Sequence, residues 1–185
     1  MVITGQAPEV ESPVLDASTA MRLPTRILDT DRSVSVVNRQ VIEDRQINDP
    51  QEAVQQVAGN VRAGSGLGYS EDFLIRGFQQ QDIFKDGFRV GLNNSTNSSA
   101  TGPTDVANLD RIEFLKGPAA ILYGRGEPGG IVNYVIRVPY FENTFSLKQE
   151  FGSFDFLRSQ LDANWQVIPQ RLALRLDAAY EHAGS

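Results

Sequence analysis

Three runs in the last quarter of the chain alternate apolar and polar residues with a period of two. In FSLKQEFG (145–152), Phe145, Leu147 and Phe151 fall on one face, and Ser146, Lys148 and Glu150 on the other. In QLDANWQV (160–167), Leu161, Ala163, Trp165 and Val167 alternate with Gln160, Asp162, Asn164 and Gln166. In LALRLDAAYE (172–181), Leu172, Leu174, Leu176, Ala178 and Tyr180 alternate with Ala173, Arg175, Asp177, Ala179 and Glu181. Successive strand side chains point to opposite faces, so each run predicts a β-strand with one apolar face.

Before Pro139 the texture is less regular. Residues 1–32 carry Pro8, Pro13 and Pro24 and little periodicity, which predicts an extended arm. SVSVV (33–37) is β-branched and predicts a strand, and Asn38 is placed to cap a short helix over RQVIEDRQ. NDPQEAVQQVAGN (48–60) predicts a helix: Asp49 at the N-cap, Pro50 at N1, Glu52 at N3 and Gly59 at C′, with Val54, Val57 and Ala58 as its buried stripe. DFLIRGF (72–78) reads as one strand, and DIFKDGFRV (82–90) as a hairpin turning at Asp86-Gly87. RIEFLKG (111–117), GPAAILYG (117–124) and IVNYVIRV (131–138) predict strand, short helix and strand. AGSGLGYS (63–70) and GLNNSTNSSATGPTD (91–105) read as exposed loops; the sequons at Asn93, Asn94 and Asn97 follow from that Asn/Ser-rich composition.

GRGEPGG (124–130) sets Gly124, Gly126 and Gly129 at the spacing of a dinucleotide-binding turn. Such a turn follows a strand and opens a helix whose N-terminus faces the pyrophosphate. Here a helix precedes and a strand follows, and Pro128 removes an N–H from the motif. The glycines therefore predict a turn in which close packing or positive φ excludes side chains.

Composition narrows the chemistry. The 185 residues carry a net charge of −6, which argues against nucleic acid as a partner. There is no cysteine and one histidine, His182, so disulfides and thiolate metal sites are excluded and no Cys–His pair exists. No metalloprotease or P-loop motif occurs and no spacing fixes a pair of carboxylates, so nothing argues for an enzyme. No stretch approaches the ~18 apolar residues of a transmembrane helix. MVITGQAPEV has neither a basic nor an apolar leader region, so the expectation is a cytoplasmic protein or a chain given without its export signal. The alternating runs fit a soluble antiparallel sheet and equally a barrel wall that is apolar to lipid and polar to the lumen.

LIRGF (74–78), KDGFR (85–89), LDRIEFLKGPAAILYGRGEPGGIVNYV (109–135) and GSFDFLRSQLDANW (152–165) resemble the plug and first barrel strands of TonB-dependent outer-membrane receptors, most similar to the ferrichrome-type siderophore receptors. The resemblance covers about residues 30–185. VIRVP (135–139) departs from it, since the family usually has a Lys/Arg pair before that proline. The resemblance implies an α+β plug domain followed by antiparallel strands of an incomplete, roughly 22-stranded outer-membrane β-barrel. On that reading 1–32 is a periplasmic arm, 33–139 the plug, and 140–185 the first three barrel strands. VIPQR (167–171) would be a periplasmic turn and SFDFL (153–157) an outer loop. The 46 residues after Pro139 are too few for a whole barrel, so the chain is expected to be a fragment.

The resemblance also implies a division of labour. Outward plug loops at 63–70 and 89–108 would meet a ferric siderophore, with Tyr69, Arg89, Asn93 and Asn94 as ligand-binding candidates. The siderophore would hold the iron, so no cofactor and no protein ligands to metal are expected. Val2, Ile3, Thr4 and Gly5 would form a TonB box that pairs with the TonB energy transducer as an added strand. Arg76, Arg111 and Arg125 would bind carboxylates on the barrel wall. Outer-membrane lipid would cover the apolar strand face. The same architecture serving haem, cobalamin or a catecholate, and a soluble α+β binding or signalling module, are the competing readings.

Overall fold

The computed structural model describes residues 16–19, 25–57, 59–62, 73–80, 83–90, 104–124 and 128–184. In chain order the elements are β1 (Asp16–Ala17), β2 (Thr25–Arg26), β3 (Ser33–Asn38), α1 (Arg39–Asp44), α2 (Pro50–Val54), β4 (Asn60–Arg62), β5 (Phe73–Ile75), β6 (Phe78–Gln80), β7 (Ile83–Lys85), β8 (Phe88–Arg89), β9 (Leu109–Lys116), α3 (Ala120–Tyr123), β10 (Gly130–Ile136), β11 (Thr144–Phe151), β12 (Leu157–Ile168) and β13 (Leu172–His182). One compact unit ends at Ile136 and a second begins at Arg137.

The first unit is built on a five-stranded sheet ordered β3-β9-β10-β7-β8. β7 and β10 pair in parallel and the other neighbours antiparallel. β9 and β10 lie in the middle and are covered on both faces. That is why IEFL and IVNYV run almost without alternation. Ile112, Phe114, Val132 and Tyr134 point into the larger core with Phe73, Ile75, Val54 and Val57. Leu115 and Ile131 point the other way, onto Phe84, Ala119 and Tyr123. A three-stranded sheet, β4-β5-β6, and the short pair β1-β2 complete this unit among the described residues.

Local chemistry accounts for the element ends. Asn38 Oδ1 accepts from the Val41 amide at 2.9 Å and starts α1. Asp49 Oδ1 accepts from the Gln51 amide at 2.8 Å, with Pro50 in the first turn of α2. α2 is shorter than the expected 48–60. Gln55, Gln56 and Val57 donate to carbonyls three residues back, so the chain tightens into a 3₁₀-like turn after Val54. Gly59 at φ +81° then redirects it into β4. Val54 and Val57 are buried as the stripe required, and Ala53, which it did not include, is buried with them; Ala58 lies outside the described residues.

The segment 72–78 is a hairpin rather than one strand. Arg76 (φ 53°) and Gly77 (φ 83°) form a two-residue turn between β5 and β6. Both central residues need positive φ, as the right-handed strand twist demands, and only the glycine of the pair advertises it. Asp86 (φ 48°) and Gly87 (φ 80°) make the same turn between β7 and β8, where it was expected.

The glycine turn runs helix, turn, strand. A Cβ at Gly129 would sit 2.5 Å from the Ile75 carbonyl oxygen, and one at Gly130 2.0 Å from that of Leu115. The Gly117 amide donates to the Gly129 carbonyl at 2.8 Å. Backbone meets backbone here, so these two glycines are required by space.

The second unit is the antiparallel meander β11-β12-β13. Its register sets Phe145, Ala163 and Leu176 in one row and Leu147, Leu161 and Ala178 in the next. The predicted apolar residues therefore do share a face. A register shift between Gln166 and Ile168 brings Ile168, rather than Val167, opposite Leu172.

Candidate functional site

Three features of the first unit gather charge. The first is a cleft of about 320 Å³ lined by Arg32, Arg76 and Lys116, with Asp31 and Ser33 at its side. Arg76 reaches it because the turn after β5 projects its exposed side chain. Lys116 ends β9, and its amine is held below the usual lysine range, first by burial and then by the neighbouring Arg76 charge. Arg32 Nη1 donates to the Pro118 carbonyl at 3.5 Å. Cations brought together this way favour a carboxylate-bearing partner.

The second feature is a carboxylate in the middle of the sheet. Glu113 is 0% exposed. Its Oε1 accepts from Arg111 Nε at 2.7 Å, and Arg111 Nη1 reaches Asp110 Oδ2 at 2.7 Å. Burial alone would lower the Arg111 pKa, but Glu113 and then Asp110 outweigh it and hold the guanidinium above its ordinary value. Ser18 and Thr19 also donate to Glu113. Nearby, Asn133 Nδ2 donates to Thr19 Oγ1, and the Tyr123 hydroxyl donates to the Thr19 carbonyl, both at 3.0 Å.

The third is the edge at β8. The Arg89 guanidinium lies 5.5 Å from the centroid of the Phe84 ring, and its Nη2 donates to the Tyr123 carbonyl at 3.5 Å. The side chain is held through its guanidinium, while the residue as a whole is exposed.

In the second unit the two faces of the meander differ sharply. On one, Phe145, Leu147, Phe151, Trp165, Leu172, Leu174, Leu176 and Tyr180 are 43–73% exposed. Ala163, flanked in its row by Phe145 and Leu176, is covered to 1%. On the other, Asp162 and Asp177 stand directly opposite each other in the ladder. Two arginines offset their repulsion. Arg175 reaches Asp162 at 2.6 Å and Asp177 at 3.0 Å, and Arg137 reaches them at 2.7 and 3.4 Å. Arg158 pairs with Glu181 at 2.6 Å on the same face. Arg137 is the basic residue of the unusual VIRVP segment, so its charge is used within the strand unit.

Of the expected site residues, Arg76, Arg89 and Arg111 are described, and they occupy three separate places. Arg111 is engaged by Glu113 and Asp110 on its own strand, rather than presented freely. Tyr69, Asn93, Asn94, Arg125 and Val2, Ile3, Thr4 and Gly5 lie outside the described residues. Sequence reasoning missed Glu113, Lys116 and the Arg137–Asp162–Arg175–Asp177 cluster. The signal for Glu113 was a lone charge inside the apolar run I-E-F-L of a central strand.

The TonB-dependent Receptor Plug Domain family matches residues 26–131. The metal-pseudopaline receptor CntO of Pseudomonas aeruginosa is 36% identical over 98% of this chain and 26% of its own length. The ferrioxamine B receptor of Salmonella typhimurium is 31% identical over 95% of this chain and 25% of its own. The structure of the alcaligin outer-membrane receptor FauA of Bordetella pertussis superimposes with a TM-score of 0.78 at 30% identity, covering 91% of this chain and 29% of that one. The chain thus spans about a quarter of the length of the curated relatives it matches.

Proposed function

Because the chain belongs to the TonB-dependent receptor plug-domain family, we propose that it is the plug and opening barrel strands of an outer-membrane receptor for energy-coupled uptake of ferric siderophores. The observation that carries the membrane part of this reading is the meander. Eight large apolar side chains on one face stand 43–73% exposed, while charged groups are paired on the other. In water such a face is a liability; against lipid it is the stable arrangement. The same contrast disfavours the soluble-module reading.

The relatives are named for metal-pseudopaline, ferrioxamine B and alcaligin, so the cargo class is a metal chelate. The iron is cargo carried by the chelator, and no reaction chemistry is assigned to the chain. Arg89, with Tyr69, Asn93 and Asn94, would bind the chelate from the outward plug loops. Arg76, with Arg32 and Lys116 beside it, would take carboxylates of the barrel wall, and Arg125 is proposed for the same role, whereas Arg111 is already engaged by Glu113 and Asp110. Val2, Ile3, Thr4 and Gly5 would add as a strand to the TonB transducer in the periplasm.

Proline at position 3 tests the coupling, because it cannot join a strand ladder. Cells carrying Ile3→Pro in the full receptor should bind radioiron-loaded hydroxamate or catecholate siderophore normally and fail to accumulate it. Normal accumulation would remove the TonB box. Failure of the unaltered receptor to bind either chelate class would remove the siderophore assignment.

A further inference from the structure

Ser18 and Thr19 stand 95 and 94 positions from Glu113 in the chain, yet both of their amides and both hydroxyls donate to its carboxylate. The Ser18 amide reaches Oε2 at 3.0 Å and the Thr19 amide at 2.8 Å. Thr19 is 0% exposed, and Tyr123 and Asn133 hold its carbonyl and hydroxyl from the other side. The one buried apolar side chain of the described segment 16–19 is Ala17. The segment is therefore fixed to the sheet by polar contacts rather than by a packed apolar face.

We propose that Glu113 is a release latch: it holds the N-terminal segment at Ser18-Thr19 against the central strand, and its contacts can be broken without dismantling the sheet. Three observations carry this. The anchor is as stiff as the fold offers, because Glu113 lies on β9, which is paired along both edges, opposite Val36 and Asn133. The contact strengthens when dry and yields when wet. Charge-assisted hydrogen bonds are strong in a desolvated cleft, and water replaces each of them as the segment leaves. Arg111, on the same strand as Glu113 and 2.7 Å from it, does not depend on the N-terminal segment for this contact, so release would not leave the carboxylate as an uncompensated buried charge. Ser18 also forms one wall of a cleft of about 210 Å³ with Asp86, Phe88, Tyr123 and Asn133, so release opens that cleft. The latch rests on these contacts and not on the transport reading above.

Hydrogen exchange of backbone amides in the full-length protein in detergent tests it without any transport readout, so the two readings fail separately. Glu113→Gln keeps the shape but turns an amide N–H₂ toward donors. Thr19→Val keeps the volume and removes the hydroxyl that donates to Glu113 and accepts from Asn133. In both variants the Ser18 and Thr19 amides should exchange at least about tenfold faster, while those of Ile112, Phe114 and Val132 keep their protection. Unchanged exchange at Ser18 and Thr19 in Thr19→Val overturns the proposal, whether or not Glu113→Gln folds. Equal acceleration in β9 and β10 in Thr19→Val also overturns it, because Glu113 would then be part of the folding core and no separable latch would exist.

Discussion

Replacing Gly130 by alanine places one methyl group where the fold has no room for it. The added Cβ would sit 2.0 Å from the Leu115 carbonyl oxygen, where ordinary contacts lie at 3.4–4 Å. The strands must part by about 1.4 Å, beyond the ~2.7–3.2 Å window of an N–H···O bond. The neighbouring bond from the Gly117 amide to the Gly129 carbonyl, now 2.8 Å, is then lost. A buried donor left without its acceptor costs about 1–3 kcal/mol. Holding alanine at φ +144° adds about 1–3 kcal/mol. The expected loss is about 2–6 kcal/mol, a large part of the ~5–15 kcal/mol that stabilises a typical domain. Gly59→Ala is the matched control. Gly59 has φ +81° and nothing within 4 Å of the new methyl, so it carries only the conformational part, about 1–2 kcal/mol. Denaturant-dependent amide exchange at Leu115, Ile131 and Val132 reads both variants on one scale. If Gly130→Ala and Gly59→Ala agree within about 0.5 kcal/mol, the close approach of β9 and the glycine turn is not what demands glycine there.

Two further outcomes concern the meander. In the full receptor, Leu176→Arg, in the row of Phe145 and Ala163, should cost about 2–4 kcal/mol and reduce the folded, heat-modifiable band on semi-native electrophoresis, whereas Ala173→Arg on the opposite face should assemble normally. Arg175→Met should destabilise the folded band, because Asp162 and Asp177 then face each other with Arg137 alone between them. Adding Asp162→Asn should restore most of the loss, and a double variant no better than the single one would show that the pairing is not the cause.

Legibility followed the strength of the local signal. Asp86-Gly87 was readable as a turn because Asp-Gly is a strong hairpin dipeptide; Arg76-Gly77 was not, because arginine rarely opens such a turn and FLI runs straight into it. The helix at 50 was visible from Asp49 and Pro50, but its end was not. Gly59 is a plausible C-cap, whereas the switch to three-residue hydrogen bonding after Val54 leaves no residue signature. The meander was readable because one face is uncovered by protein, which preserves the period of two. Arg76 was legible as a candidate and the cleft around it was not, since Arg32 and Lys116 come from residues 84 apart. Glu113 was hidden for the same reason: its partners Ser18 and Thr19 arrive from the far end of the unit.

The order of strands also has a consequence for assembly in time. β9 is flanked by a strand drawn from 33–38 and another from 130–136, and the ladder sets Ser33 opposite Lys116. The parallel pair joins Ile83 to Val132. The β3–β9 and β7–β10 pairings must each close a long loop before any contact repays the lost chain entropy. In β11–β13, by contrast, Phe151 meets Leu157 and Ile168 meets Leu172 across a few residues. Hairpins of that span form in microseconds, far faster than non-local sheets. The β11–β13 meander is thus kinetically ready while the five-stranded sheet is still closing its most distant pairing, β3 onto β9, and within this chain the first unit is the slower to assemble.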